Sequence, residues 1–365
     1  MDNEQKIKIL ERQISQLDIQ QFTKKIFLNK LYGYFAEHHS PLYDIDLAES
    51  ITQTGRELIK KASSIAEDYV ENKHGIITDC VIANDTDSLI ITIQPILDKN
   101  KQPFFVENTI NPYVTDIATE FNNILNTEIK TWAKDELKSE YCTYNFKRES
   151  ISSSGIFLEK KRYILNVIED DGFKTDKFKY TGVEVVTTKT PKKVKPLIKN
   201  AIQTIIKKSD KKEVDQIIKD TYKVYQTFSI EDQAVTISLN NYEKYYNRAK
   251  EFKAGKGTPN HVKGAIYYNL LLKKYKIDNK YESLKSGDKI KTFYVLPNKY
   301  NIESIAFLNK FPEEFKTELS IDIKKMYEKT LLNPIKSVFD VIGWQIKNPS
   351  NDEQLDLLEF FGLEN

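Results

Sequence analysis

The sequence predicts an α+β protein, on three observations. Stretches 4–36 and about 47–70 carry apolar residues at helical spacing. Segments 76–93 and 156–187 show short apolar runs bounded by turn residues, the pattern of antiparallel hairpins. A composition that is 40% hydrophobic, with 21 Tyr and 19 Phe in 365 residues, excludes a disordered tail and allows two or three domains with buried cores.

In the first helix, Ile7, Leu10, Ile14 and Leu17 form one apolar stripe, broken near Asp18 before Phe22, Ile26 and Phe27 resume it. In the second, Ile51, Leu58, Ile59, Ala62, Ile65 and Tyr69 share a side, with Asp44 and Asp46 as candidate caps. Ile76–Ala83 and Ser88–Ile93 read as strands joined by a tight Asn-Asp-Thr-Asp turn. A helix is expected over about Val114–Lys138. Strands come next at Ile156–Ile168 and Lys177–Thr187, separated by the turn signal Asp170-Asp171-Gly172. From Pro191 to about Gln226 the chain reads as lysine-rich helix, and the remainder to Ser337 mixes helices with short strands. A domain boundary is therefore expected at Thr190-Pro191, and a tail from about Pro349.

The formal net charge is only +2, so nucleic-acid binding would have to come from local clusters. Cys80 and Cys142 are too few for a disulfide framework or a cysteine zinc site. His38, His39, His74 and His261 show no metal-ligand spacing. No apolar run approaches membrane-spanning length, and the first residues are charged rather than signal-like, so a soluble intracellular protein is expected.

Three segments carry chemistry. On a helix, Lys25, Asn29 and Tyr32 at i, i+4 and i+7 put a cation, an amide and a phenol on one face. Such a face can hold a triphosphate and wall a base pair, although by itself it also reads as an ordinary amphipathic helix. Asp85 and Asp87 flank Thr86 between apolar strands. Two carboxylates this close repel unless a cation joins them, and phosphoryl transfer with two Mg²⁺ ions uses such pairs. The plain alternative is an Asx-type turn in a surface hairpin. Between 156 and 168, read as one strand, Lys161 and Tyr163 share one face and Lys160 and Arg162 the other. That pattern can grip a nucleic-acid backbone, or simply protect a solvated edge.

Taken in order, these segments resemble family-B DNA polymerases. The run Lys25 to Gly33 looks like the K-x-x-x-N-S-x-Y-G motif of the fingers, and 48–56 the helix entering the palm. Residues 81–90 look like the Y-G-D-T-D-S hairpin, and 147–163 the K-K-R-Y segment with its lead-in. Residues 182–192, 258–265, 286–295 and 321–336 are similar to palm and thumb segments of the T-even phage group. The resemblance implies a palm of antiparallel sheet with packed helices, part of the fingers and a mainly helical thumb. It divides the chain into a fingers helix (1–37), palm (38–190, catalytic hairpin 76–93), thumb (191–348) and tail (349–365).

By the same resemblance, Lys25 and Asn29 contact the phosphates of an incoming dNTP and Tyr32 checks the nascent pair. Asp87, with Asp85, is catalytic and ligates two Mg²⁺ ions, and Lys160, Lys161, Arg162 and Tyr163 hold primer–template DNA. Glu149 reads either as a nearby carboxylate or as half of a structural salt bridge. Lys192, Lys193, Lys195, Lys199, Lys207 and Lys208 are expected to track duplex phosphates or to form a solvated face. Gln354, Leu357, Phe360 and Phe361 look like a sliding-clamp-binding box at the terminus.

Departures accompany the likeness. Lys30 stands where the family has serine, and Ala83-Asn84 where it has Tyr-Gly, with Asn84 expected to accept the backbone conformation glycine supplies. No D-x-x-S-L-Y-P segment precedes residue 24. The expectation is therefore a carboxy-terminal subunit of a split polymerase, completed by an amino-terminal subunit with the exonuclease and the other metal-binding aspartate. The Ile7–Leu17 stripe would pair with that partner. The T-even likeness implies a phage protein acting in a bacterial host's cytoplasm. A non-catalytic DNA- and clamp-binding module derived from a polymerase is the alternative.

Overall fold

In the computed structural model, residues 3–183, 187, 189–247, 253 and 255–350 are described. The chain forms two compact units, Met1–Arg148 and Glu149–Asn365.

The first unit opens with α1 (Asn3–Ala36), a single 34-residue helix with no buried residue. As expected, the helix runs unbroken through Asp18, where only the apolar stripe is interrupted and nothing is unfavourable enough to break the i→i−4 ladder. A short turn, closed by the Asp44 amide on the Phe35 carbonyl at 2.9 Å, leads into α2 (Ile45–Asp68). Asp44 is the cap, its carboxylate accepting the Leu47 N–H at 2.9 Å, while Asp46 lies inside the first turn. The apolar side of α2 is buried at Leu58, Ile59, Ala62 and Ile65, but Ile51 is exposed. A π-helical turn (Tyr69–Lys73) extends it.

Next come β1 (Val81–Asp85) and β2 (Ser88–Ile91), an antiparallel pair. Ile76–Asp79 is not strand, contrary to expectation. β2 is too short to offer it ladder partners, and Ile77 is left exposed. The short α3 (Gln94–Lys99) and the two-residue strands β3 (Phe105–Val106) and β4 (Thr109–Ile110) precede α4 (Pro112–Asp135). Asn111 caps α4 by accepting the Tyr113 N–H at 3.0 Å, and Pro112 fits the first turn, where its missing N–H costs nothing. Val114, Ile117, Phe121, Leu125 and Ile129 bury one face of α4. The Tyr69 and Phe121 rings meet at 5.4 Å, and Tyr69 donates to Glu120 at 3.1 Å, tying the end of α2 to α4.

The second unit begins with β5 (Ser150–Glu159), β6 (Arg162–Asp170) and β7 (Phe173–Thr181), an antiparallel meander. The expected strand over 156–168 is in fact two strands: Ile156 faces Ile164 and Glu159 faces Arg162. The Asp171-Gly172 turn forms as expected, both residues at positive φ (48° and 84°), the backbone a two-residue hairpin needs. The sheet's buried Ile156 and Ile164 join one core with α5 (Val194–Lys208) and α6 (Lys211–Gln226), which are separated by Ser209 at φ 50° and capped anew by Asp210. The sheet thus groups with the helices after it, and the compact units divide forty-odd residues before the boundary expected from composition. Charge and hydropathy report local character, whereas a unit is defined by which apolar faces meet.

The same core takes in α9 (Asn260–Tyr275), reached through the short α7 (Ile230–Gln233), β8 (Val235–Ser238) and α8 (Tyr242–Tyr246). It also includes β9 (Lys289–Tyr294) and β10 (Ser304–Phe307), which with β8 make a second three-stranded sheet. Gly264 lets α9 lie against β10: a Cβ there would sit 2.9 Å from the Ile305 carbonyl carbon. Phe293, Phe307, Phe311 and Phe315 pack edge to face at 5.0–6.0 Å. The short α10 (Glu313–Lys316) and α11 (Ile323–Tyr327), a π turn (Glu328–Leu332) and α12 (Asn333–Val341) complete the unit. No helix among the described residues is long and apolar enough to cross a membrane.

Candidate active site

The hairpin between β1 and β2 is closed by two residues, Thr86 and Asp87, with Asp85 paired to Ser88. Contacts from all three following residues converge on Asp85. Its carbonyl accepts the Asp87 N–H at 2.7 Å and the Ser88 hydroxyl at 3.1 Å, and its carboxylate accepts the Thr86 hydroxyl at 3.2 Å. The bond from Asp87 back to Asp85 spans Thr86, whose φ is +58°. An i→i+2 hydrogen bond around a positive φ is the rare, strained form of γ-turn, and a β-branched residue is the poorest choice for its centre. Strain of this kind concentrates at functional sites. Asn84 does not take the left-handed conformation expected of it. It stays in β1 opposite Leu89, and its amide reaches the Ser63 hydroxyl on α2 at 3.4 Å. The left-handed residue is Thr86, because the strand ladder holds Asn84 extended.

Replacing Thr86 by glycine is expected to stabilise the first unit by about 1 kcal/mol through relief of this strain. The readout is the urea midpoint of Trp132 fluorescence in a Trp344→Phe background. A lowered midpoint would show that the hydroxyl bond to Asp85 outweighs the strain.

Asp85, Thr86 and Asp87 are all exposed, so a cation can reach both carboxylates. Among the described residues no group of three His, Cys, Asp or Glu comes together. Mg²⁺ asks for six oxygen ligands and commonly takes only one or two carboxylates, the rest coming from water and substrate phosphates. The hairpin pair therefore fits a Mg²⁺ site that other ligands complete.

Lys25, Asn29 and Tyr32 lie on α1 at the expected spacing, each exposed. The basic cluster is arranged differently from expectation. Lys160 and Lys161 form the β5–β6 turn, so they do not alternate along a strand; Arg162 and Tyr163 begin β6. Lys161 has φ +62°, and Gly182 packs so close that a Cβ there would lie 2.3 Å from the Lys161 carbonyl oxygen. Arg162 pairs with Glu159 at 3.1 Å, and the Tyr163 and Phe157 rings lie 5.4 Å apart. This turn belongs to the second unit, the carboxylate hairpin to the first. Glu149 accepts the Asp171 N–H through its carbonyl at 2.7 Å. Of the six lysines expected to track a duplex, Lys193 pairs with Asp232 at 2.7 Å and Lys208 with Glu213 at 2.6 Å. Lys207 pairs with Asp176 at 2.8 Å. Gln354, Leu357, Phe360 and Phe361 lie outside the described residues.

Sequence reasoning missed the strained Thr86 and the Asn84–Ser63 link. No local signal marks either, since threonine is a strand former and the link joins residues 21 apart.

The model of DNA polymerase family B matches residues 4–342. The chain belongs to DNA polymerase family B. Within this family it is similar to the DNA-directed DNA polymerase of Enterobacteria phage T4, 25% identical over 351 residues that cover 88% of this chain and 37% of that relative. The likeness to the DNA-directed DNA polymerase of Escherichia phage RB69 is 26% over 343 residues, covering 87% and 36%. A DNA polymerase of Thermococcus gorgonarius is 27% identical over 238 residues. This family-B chain thus spans little more than a third of the length of either phage relative.

Proposed function

We propose that this chain supplies the fingers helix, palm and thumb of a DNA-directed DNA polymerase. The carrying observation is the hairpin: Asp85 and Asp87 are exposed across a strained Thr86 turn, within a chain that belongs to family B. In this reading Asp87 holds Mg²⁺, with Asp85 beside it, and two such ions would stabilise charge on the attacking and leaving oxygens of phosphoryl transfer. Lys25 and Asn29 bind the triphosphate of a dNTP, and Tyr32 packs against the new base pair. Lys160, Lys161, Arg162 and Tyr163 hold the primer–template backbone from the β5–β6 turn, contacts that position without reading sequence. The tail box, Gln354 to Phe361, docks on a sliding clamp, and the protein works in the cytoplasm of a phage-infected host.

Completion by a further polypeptide is part of this reading, with two supports. Among the described residues the hairpin offers two carboxylates and no third group. α1 leaves Ile7, Leu10, Ile14 and Leu17 each more than half exposed, a seam whose burial against a partner helix is favourable. The test is primer extension by this chain alone and mixed with a polypeptide carrying the amino-terminal polymerase segment. Extension is expected only in the mixture. Full extension by the chain alone would refute the need for a partner. A mixture that binds DNA and the clamp without extending would refute catalysis and leave the binding module.

A further inference from the structure

The two hairpin carboxylates need a fixed place, and the strands alone do not give them one. Among the described residues β1 and β2 form a two-stranded sheet of their own, and such a hairpin is only marginally stable by itself. Its base is anchored: the Thr92 N–H donates to the carbonyl of the fully buried Cys80 at 2.8 Å. Its tip is not held by burial, since every residue from Asn84 to Ser88 is exposed. Between base and tip the register shifts: Val81 faces Ile91 and Ala83 faces Ile90, with Ile82 the extra residue. A bulge of this kind bends and twists its strand, so anchoring the base does not fix the direction of the tip.

A side-chain bond crosses to α2 on the tip side of that shift. The Asn84 amide donates to the Ser63 hydroxyl at 3.4 Å. That hydroxyl donates its own proton to the Ile59 carbonyl at 2.9 Å, one turn back along α2. With its proton committed, Ser63 can only accept at the contact with Asn84, and the Asn84 Nδ2 supplies the donor. The relay ends on the buried side of α2, where Ile59 and Ala62 belong to the core. Asparagine is a poor strand residue, yet Asn84 sits in the ladder opposite Leu89, directly before Asp85. An exposed bond of this length adds little to stability. Its effect is on direction.

We infer that Asn84 and Ser63 are a positioning pair, through which α2 sets the place of the Asp85 and Asp87 carboxylates for nucleotidyl transfer. That the tip serves nucleotidyl transfer rests on the polymerase reading above, whereas the hold of the pair on the tip does not. The family motif has glycine where this chain has Asn84, and glycine carries no side chain for such a link.

Two measurements test the pair. The first is deuterium uptake by the hairpin amides (81–91) in the full chain, without metal or partner. Asn84→Ala and Ser63→Ala are each expected to speed it about threefold or more, with uptake by α4 and the urea midpoint unchanged. The second is single-turnover primer extension by the completed polymerase. Each variant is expected to slow it about tenfold and to raise the Mg²⁺ concentration at half-maximal rate, with the dNTP concentration at half-maximal rate unchanged. Because both residues act through one bond, the double variant should be no slower than either single. Ser63→Thr keeps the hydroxyl and is expected to restore rate and Mg²⁺ requirement, and Ser64→Ala, next to it on α2, to alter neither. A lowered urea midpoint with a smaller extension amplitude at the wild-type rate and Mg²⁺ requirement would show a stability role only, and overturn positioning. Wild-type extension by Asn84→Ala, or losses that multiply in the double variant, would overturn it as well. A wild-type mixture that does not extend primers refutes the polymerase reading, and the exchange measurement then judges the pair: unchanged uptake in either variant overturns it.

Discussion

An Asp87→Ala chain, combined with the amino-terminal polymerase segment, is expected to extend primers at least about 10³-fold more slowly than wild type, a loss of roughly 4 kcal/mol in transition-state stabilisation. The reason is chemical rather than structural. Asp87 shapes the turn through its backbone N–H, which donates to the Asp85 carbonyl at 2.7 Å, and alanine keeps that group. The strained Thr86 conformation and the Asp85–Ser88 pairing therefore survive, while the carboxylate that would hold Mg²⁺ is lost. Single-turnover extension measures the rate, and duplex affinity should be unchanged. Asp85→Asn provides the comparison, since its carboxylate also accepts the Thr86 hydroxyl at 3.2 Å and so combines a charge role with a turn role. Synthesis at the wild-type rate by Asp87→Ala would favour the non-catalytic binding module.

The largest stability effect is expected at Phe311. Its ring is fully buried and meets Phe293 at 5.0 Å, Phe307 at 5.7 Å and Phe315 at 5.9 Å, each at a steep angle. These neighbours come from β9, β10 and α10, so truncation leaves a cavity walled by three different elements that cannot all collapse into it. Phe311→Ala is expected to cost about 3–5 kcal/mol. The chain has two tryptophans, and Trp344 packs on Phe339 in the second unit at 6.0 Å. In a Trp132→Phe background, its fluorescence during a urea titration reports that unit. A loss under about 1 kcal/mol would mean that the aromatic cluster relaxes around the gap.

Helices were the most legible part of the fold. Apolar spacing placed α1, α2 and α4 within a few residues of their ends, and Asp44 was identifiable as a cap because capping is decided within one turn of chain. The Asp171-Gly172 turn was legible for a similar reason: glycine accepts positive φ without cost. The turn at Lys160-Lys161 was not, because lysine carries no turn signal. There the pairing of Ile156 with Ile164 and the close approach of Gly182 impose the reversal from outside. The strand expected over 76–83 failed in the opposite sense at its start, where the apolar residues before Val81 find no strand to pair with.

The α+β class, the order of the family segments and the presence of Asp85 and Asp87 two residues apart were all legible in the linear chain. These are local facts, written in periodicity and spacing. It took packing across the chain to make Thr86 rather than Asn84 the left-handed residue in the hairpin, and to join the sheet of β5, β6 and β7 to the core of α5 and α6. The same packing brought Asn84 to Ser63. Those outcomes depend on which strands find partners and which apolar faces meet across long stretches of chain, and side chains far apart in sequence converge only after that packing is made.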